Sequence, residues 1–365
     1  MRQYQLSRVA DILVNHSIKA KEGELIEVHV ADLGIPLATH VYRQLLDIGA
    51  HPIVVITDDK FGKIFYDYAK TDQLTHIPKY SLIKAKELDG SIGIYGERNP
   101  DALKDCDISK IMTRSKAGKK VSDITHSKKW VITNYPTTGL AKNAGMTLKE
   151  YTKFYYNAIN INYRELTAIN ERLKVVGDKA KDVKITDIDA DLTFSIAGRV
   201  GISCDGSYNI PDGEVFYTPI KESVNGYIRY TTPTVKYGKK FDKVELVFKD
   251  GKVVKAKASY KGKNKTKELE TILDTDAGSR YLGEFGIGTN PNIKEFTTDI
   301  LFDEKVKGTI HLALGQSYKE AGKDNDSAIH WDLIKTFSPE GMVLLDGVNI
   351  ISNEKLNVIG GSDGE

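Results

Sequence analysis

The run EGELIEVHVADLGIPLATHVYRQLLDIGAHPIVVITD, residues 22–58, decides the class of the N-terminal half. Its first part, EGELIEVHV (22–30), reads as a strand behind a turn. IPLATHVYRQLLDIGA (35–50) reads as a helix, with Pro36 in its first turn and Gly49 near its end. HPIVVITD (51–58) is a short, nearly continuous apolar run, the pattern of a strand buried on both faces. Upstream, Leu6, Val9, Ala10, Leu13 and Val14 recur at the spacing of an amphipathic helix. Downstream, a helical segment extends to about residue 76 and GSIGIYG (90–96) reads as a third strand. Strands alternating with helices predict an α/β unit with an open, mostly parallel sheet and helices on both faces.

The second half has a different texture. Residues 139–173 are again helical, and Thr147 and Glu150 have the spacing of a capping box. From about 180, apolar and polar residues alternate, as in DVKITDIDADLTFSIAGRVG (182–201). KVELVFKDGKVVKAKAS (243–259) is a hairpin pattern turning on Asp250-Gly251. Two domains are expected: 1–180, α/β, and 181–365, a strand-rich α+β domain. The tail GGSDGE (360–365) reads as disordered.

The charge balance, 52 basic against 50 acidic residues, gives no electrostatic footprint for a nucleic acid. The densest basic run, KGKNKTK (261–267), contains Gly and Asn and reads as an exposed loop. Two cysteines far apart, Cys106 and Cys204, exclude a disulfide framework and a thiolate zinc cluster. No signal peptide or membrane-span pattern is present, and a cytoplasmic protein is expected.

Residues of metal-ligand type concentrate in the second domain: Glu214 in NIPDGEVFYTP, Glu284 in YLGEFGIGTNPN, Glu304 in LFDEKVKGT, then His311, His330 and Asp332. Imidazoles and carboxylates without thiolates form the ligand set of a catalytic zinc, cobalt or manganese site. Three or more carboxylates with two histidines exceed one four-coordinate ion and suit a metal pair. Other readings stay open. Glu214 and Glu304 are also compatible with solvated charges, and His311, among Ile310, Leu312 and Leu314, with a hydrogen-bonded core histidine. His330 and Asp332, two apart, would share one face of a strand. Tyr318 lies seven residues after His311, although with 19 tyrosines such proximity is cheap. His16, His29, His40, His51, His76 and His126 share no ligand spacing. GEFGIG (283–288) lacks the GxGxxG spacing of a dinucleotide site, and Ser203-Cys204 lacks a nucleophile elbow.

Taken in order, these motifs resemble the aminopeptidase T family of dinuclear metallo-aminopeptidases, which includes the aminopeptidase S and PepS types. The resemblance runs through GELIEV, IPLATHVYRQLLDIGAHPIVV, YPTTGLAKNAGMTLKEY, NIPDGEVFYTP, GEFGIGTNPN, HLALG and IHWDL. It implies Glu214, Glu284, His311, His330 and Asp332 as ligands of two divalent ions (Zn, Co or Mn). It implies Tyr318 as the catalytic tyrosine. The glutamate that the family carries ahead of the histidine corresponds to Glu304, and either Glu284 or Glu304 would pass the proton to the leaving amine. The implied substrate is a peptide with a free N-terminus, and the implied assembly is a homodimer. Rival expectations are a metal-assisted amide or ester hydrolase on the same scaffold, or a metal- or ligand-binding relative without turnover.

Overall fold

The computed structural model describes residues 3–96, 98–353 and 355–357. The chain divides into two compact units, Met1–Asn160 with Gly206–Asp212 and Ile161–Asp205 with Gly213–Glu365. The change of texture at residue 180 marks where the strands of the second unit begin. The helix before it, Tyr163–Gly177, groups with those strands. The tail 360–365 lies outside the described residues.

The first unit is built on a parallel sheet. Among the described residues it has five strands, in the order His51–Thr57, Leu25–Ala31, Gly90–Tyr95, Lys129–Asn134 and Asn209–Ile210. Ile26, Val28, Val30, Ile92, Ile94 and Val131 fill its core. The N-terminal helical segment runs as Gln3–Asp11 and a wider π turn, Ile12–Ser17, burying the apolar stripe read from the sequence. Thr147 and Glu150 do form a capping box, at the start of the helix Leu148–Ile159.

One expectation fails here. His51–Thr57 is a strand, but it is the edge strand of its sheet and not a doubly buried one. Ile53, Val54 and Ile56 are all exposed, Ile56 at 57%. The helical segment after it is broken into Asp59–Tyr68, Thr71–Thr75 and Lys79–Glu87. The first of these buries none of its residues, and Phe61 and Tyr68 are 74% and 80% exposed. A continuous apolar run records the hydrophobicity of a strand but not what covers it.

The second unit packs two antiparallel sheets on one core. The larger contains the predicted hairpin, Lys243–Lys249 with Lys252–Tyr260, whose turn residues Asp250 and Gly251 both have positive φ, 49° and 82°. The smaller sheet runs in the order His330–Lys335, Ile310–Gly315, Leu282–Gly288, Glu214–Tyr217 and Ile202–Cys204. One face of this sheet carries Val215, Tyr217, Phe285, Ile287, Leu312, Leu314, Trp331 and Leu333 into the shared core. There Phe285 meets Phe194 of the larger sheet edge to face, with ring centroids 5.2 Å apart. No helix among the described residues is long and apolar enough to cross a membrane.

Candidate metal centre

The other face of the smaller sheet is chemical. Because side chains alternate along a strand, the core residues Ile310, Leu312 and Leu314 leave His311, Ala313 and Gly315 on the opposite side. Cross-strand register then collects the rest. Ala313 lies opposite both Glu284 and Asp332, His311 opposite Gly286, Gly315 opposite His330, and Gly288 opposite Glu214. A β-bulge between Leu282 and Glu284 changes the alternation, so Leu282 enters the core while Glu284 turns to the chemical face. The small residues make room between the large ones. A Cβ on Gly286 would overlap the imidazole of His311.

The six acidic and imidazole residues read from the sequence therefore converge within one unit. His311 Nε2 is 3.0 Å from Glu284 Oε1 and 3.2 Å from Glu214 Oε2. His330 Nε2 is 3.4 Å from Asp332 Oδ1 and 3.8 Å from Glu284 Oε2. Glu214, Glu304 and His311 form one triad whose ligand atoms lie within 4.8 Å of one another, and Glu284, His311 and Asp332 form another. Two ligands each about 2.0–2.2 Å from one cation stand roughly 3–3.5 Å apart, which is the spacing of the shorter contacts here. His330 Nδ1 is 2.8 Å from Gln316 O, an arrangement that would present Nε2 to a cation.

Lys305 was not singled out by sequence reading. Its fully buried ammonium is 2.6 Å from Glu214 Oε1 and 2.7 Å from Glu304 Oε1. The only available signal was its position beside Glu304, because lysines are abundant in this chain and seldom buried. Lys236, whose ammonium donates to His330 O, was missed too. Tyr318 is half-buried, with its ring 5.1 Å from that of His330 and 5.7 Å from that of Phe216.

The cluster fits a divalent cation by the state of its atoms. Glu214 Oε2 and Asp332 Oδ1 are buried without a hydrogen-bond donor among the described residues. Glu214 Oε2 is close to His311 Nε2, but that N–H is directed to Glu284. Buried oxygens of this kind are costly unless something positive meets them.

In the metal-free protein, protons take part of that role. Burial opposes the charge on His311, but its hydrogen bond to Glu284 and the charge of Glu214 push it up to about 9. Burial likewise opposes the charge on His330, and Asp332 with Glu284 pushes it up to about 10. Burial would raise Asp332, yet the nearby His330 charge holds it well below the carboxylate range. Burial raises Glu284 despite its bond to His311. Burial also raises Glu304, to about 8, against the opposing charge of Lys305. The Tyr318 hydroxyl is raised by desolvation and then by the surrounding carboxylates, so it remains a proton donor.

A pH dependence follows. Both imidazoles carry protons at neutral pH and must lose them to ligate a cation. Cation affinity should therefore rise with pH up to about 9–10 and flatten above it. At pH 7, calorimetric titrations in buffers of different ionisation enthalpy should show at least two protons released, from the two imidazoles and from the raised glutamates that become ligands with them. Absence of proton release would remove His311 and His330 from the ligand set.

Known proteins resemble this chain in sequence or in fold. Aminopeptidase 2 of Geobacillus stearothermophilus is 25% identical, covering 90% of this chain and 91% of its own. Aminopeptidase AmpS of Bacillus subtilis is 26% identical over 98% and 94%. The solved structure of wild-type AmpT from Thermus thermophilus superposes with a TM-score of 0.80 at 20% identity, covering 97% of this chain and 99% of that one. The model of the thermophilic metalloprotease family M29 matches residues 2–340, and the chain belongs to that family.

Proposed function

We propose that the protein is a metal-dependent aminopeptidase that removes N-terminal residues from peptides. The observation that carries this reading is the convergence of Glu214, Glu284, Glu304, His311, His330 and Asp332 on one sheet face in a metalloprotease-family chain. The aminopeptidase names of the relatives point the same way. Glu214, Glu304 and His311 would hold one divalent ion, and Glu284, His330 and Asp332 a second. Zinc, cobalt and manganese all suit this oxygen and nitrogen donor set. When bound, such a pair supplies a hydroxide near neutral pH and polarises the scissile carbonyl.

The chain's own residues then have distinct tasks. Tyr318 keeps its proton and donates it in a hydrogen bond to the oxyanion of the tetrahedral intermediate. One of the two carboxylates, Glu284 or Glu304, would pass a proton to the leaving amine. Glu284 pairs with His311 and faces His330, and Glu304 pairs with Lys305.

The homodimer expected from the family resemblance has a surface to use. Phe61, Ile64 and Tyr68 form an exposed stripe at helical spacing, beside the bare edge strand with Ile53, Val54 and Ile56. Two buried free thiols, Cys106 and Cys204, are in keeping with a cytoplasmic setting, which cell fractionation would check.

Turnover of aminoacyl anilides and of short peptides with free N-termini is the direct test. Activity should vanish on chelation and return with zinc, cobalt or manganese. Full activity in protein free of metal by elemental analysis would exclude the mechanism, and cleavage of blocked amides or esters alone would favour the broader hydrolase reading. Tyr318→Phe should lower kcat and kcat/KM together by about 10²–10³ without changing metal content. Light scattering should report a dimer that Phe61→Glu with Tyr68→Glu converts to a monomer; a monomeric parent protein would end the dimer assignment.

A further inference from the structure

Lys305 brings a cation of the chain's own into the cluster. Its Nζ contacts Oε1 of both Glu214 and Glu304 and is shielded from water. The main chain places it there. Lys305 N donates to Phe302 O (3.0 Å), and Lys305 O accepts from Asn290 N (2.9 Å). The preceding residue, Thr289, donates its N–H to Gly213 O (2.8 Å), immediately before Glu214. Thr289 also gives its hydroxyl to Asn170 Oδ1 (2.8 Å), while Asn170 Nδ2 donates to Glu214 O (3.0 Å). Residues 289 and 290 thus tie the Lys305 backbone, directly, to the Glu214 backbone, through Gly213 and Asn170. The pairing of Lys305 with Glu214 is imposed by the frame and is not a chance meeting of two long side chains.

The consequence concerns which carboxylate oxygens are available. A glutamate can bind a cation through one oxygen or two. Lys305 occupies Oε1 of Glu214, and the remaining Oε2 is the buried, undonated oxygen 3.2 Å from His311 Nε2. Glu304 has its Oε1 engaged in the same way. We infer that Lys305 is a positioning residue of the metal centre, holding Glu214 and Glu304 so that each offers a single oxygen to the cation. This inference rests on reading the cluster as a divalent-metal centre. It differs from a simple charge effect in sign. If Lys305 only repelled cations, removing it would tighten metal binding; if it orients the two glutamates, removing it weakens binding and changes the coordination.

The test uses the full chain stripped of metal and titrated with Co(II), with visible absorption and stoichiometry as readouts. Lys305→Met, similar in length and uncharged, should weaken the cation site that uses Glu214 by about 10–100-fold, the usual effect of losing a ligand's supporting partner. The Co(II) bands should lose intensity as Glu214 becomes free to bind through both oxygens. Lys305→Gln, which keeps an amide donor, should fall between the variant and the parent. A parent protein that binds Co(II) beside a Lys305→Met variant with equal or tighter binding and an unchanged spectrum overturns this inference alone. A parent that binds no Co(II) overturns it together with the metal-centre reading. If both variants fail to fold with Co(II) present, Lys305 is a structural ion-pair partner and the inference falls.

Discussion

An acidic cluster buried against a hydrophobic core needs a rigid frame, because the carboxylates repel one another and water cannot relieve them. The smaller antiparallel sheet supplies that frame. Its strands are buried on both sides, yet the two sides differ in chemistry: Leu, Ile, Phe and Trp toward the core, and the Glu, His and Asp of the cluster on the other. A one-residue slip of any strand would exchange the two sets, placing charges in the core and apolar groups in the site. The cross-strand register is thus the constraint on which the rest depends. The bulge at Leu282/Glu284 is its one local adjustment in the site strands. It lets a core leucine and a site glutamate stand two residues apart and still face opposite ways.

That frame also explains the small residues. Ala313 separates Glu284 from Asp332, and Gly286 and Gly288 lie opposite His311 and Glu214. Larger side chains there would occupy the volume in which the ligand atoms meet. Gly288, whose added Cβ would strike the Val306 carbonyl, also lets the segment after Glu304 run close to the sheet. Through that close approach, Glu304 and Lys305, which lie off the sheet, reach the ends of side chains rooted on it. Protons on His311 and His330 and the ammonium of Lys305 then balance part of the negative charge when no divalent ion is present.

Much of this was legible in the sequence, and what was not has physical causes. The i, i+2 spacing of His330 and Asp332 carried real geometric information because the segment is a strand. HLALG told of burial around His311, but that its imidazole faces away from Ile310, Leu312 and Leu314 is seen only once the segment is a strand. Lys305 and Lys236 were invisible because nothing local distinguishes a lysine drawn inward by a distant carboxylate or carbonyl from one in water. The bulge at Gly283 was equally hidden, since it is defined by the partner strand. In the first unit, HPIVVITD was read correctly as a strand but wrongly as doubly covered, because apolar content does not report sheet order.

The loop 316–329 shows why Tyr318 can be precise although it lies outside any strand. Long connections without secondary structure are commonly either functional or mobile. This one is tied down at several points. Ser317 Oγ accepts from Asp324 N and Asn325 N and donates to Asn325 O, closing the loop on itself beside Tyr318. Asn325 Nδ2 donates to Gly278 O and Gly315 O, linking the loop to the strand that carries His311. Asp276 accepts from Ser327 Oγ and Ala328 N just ahead of His330. Arg199 donates to Gly322 O and Asp324 from the opposite side. The loop therefore begins and ends on the two histidine strands and is braced between them. A shift of either strand would carry the tyrosine with it, so the hydroxyl and the imidazoles keep their relative positions without a rigid element of their own.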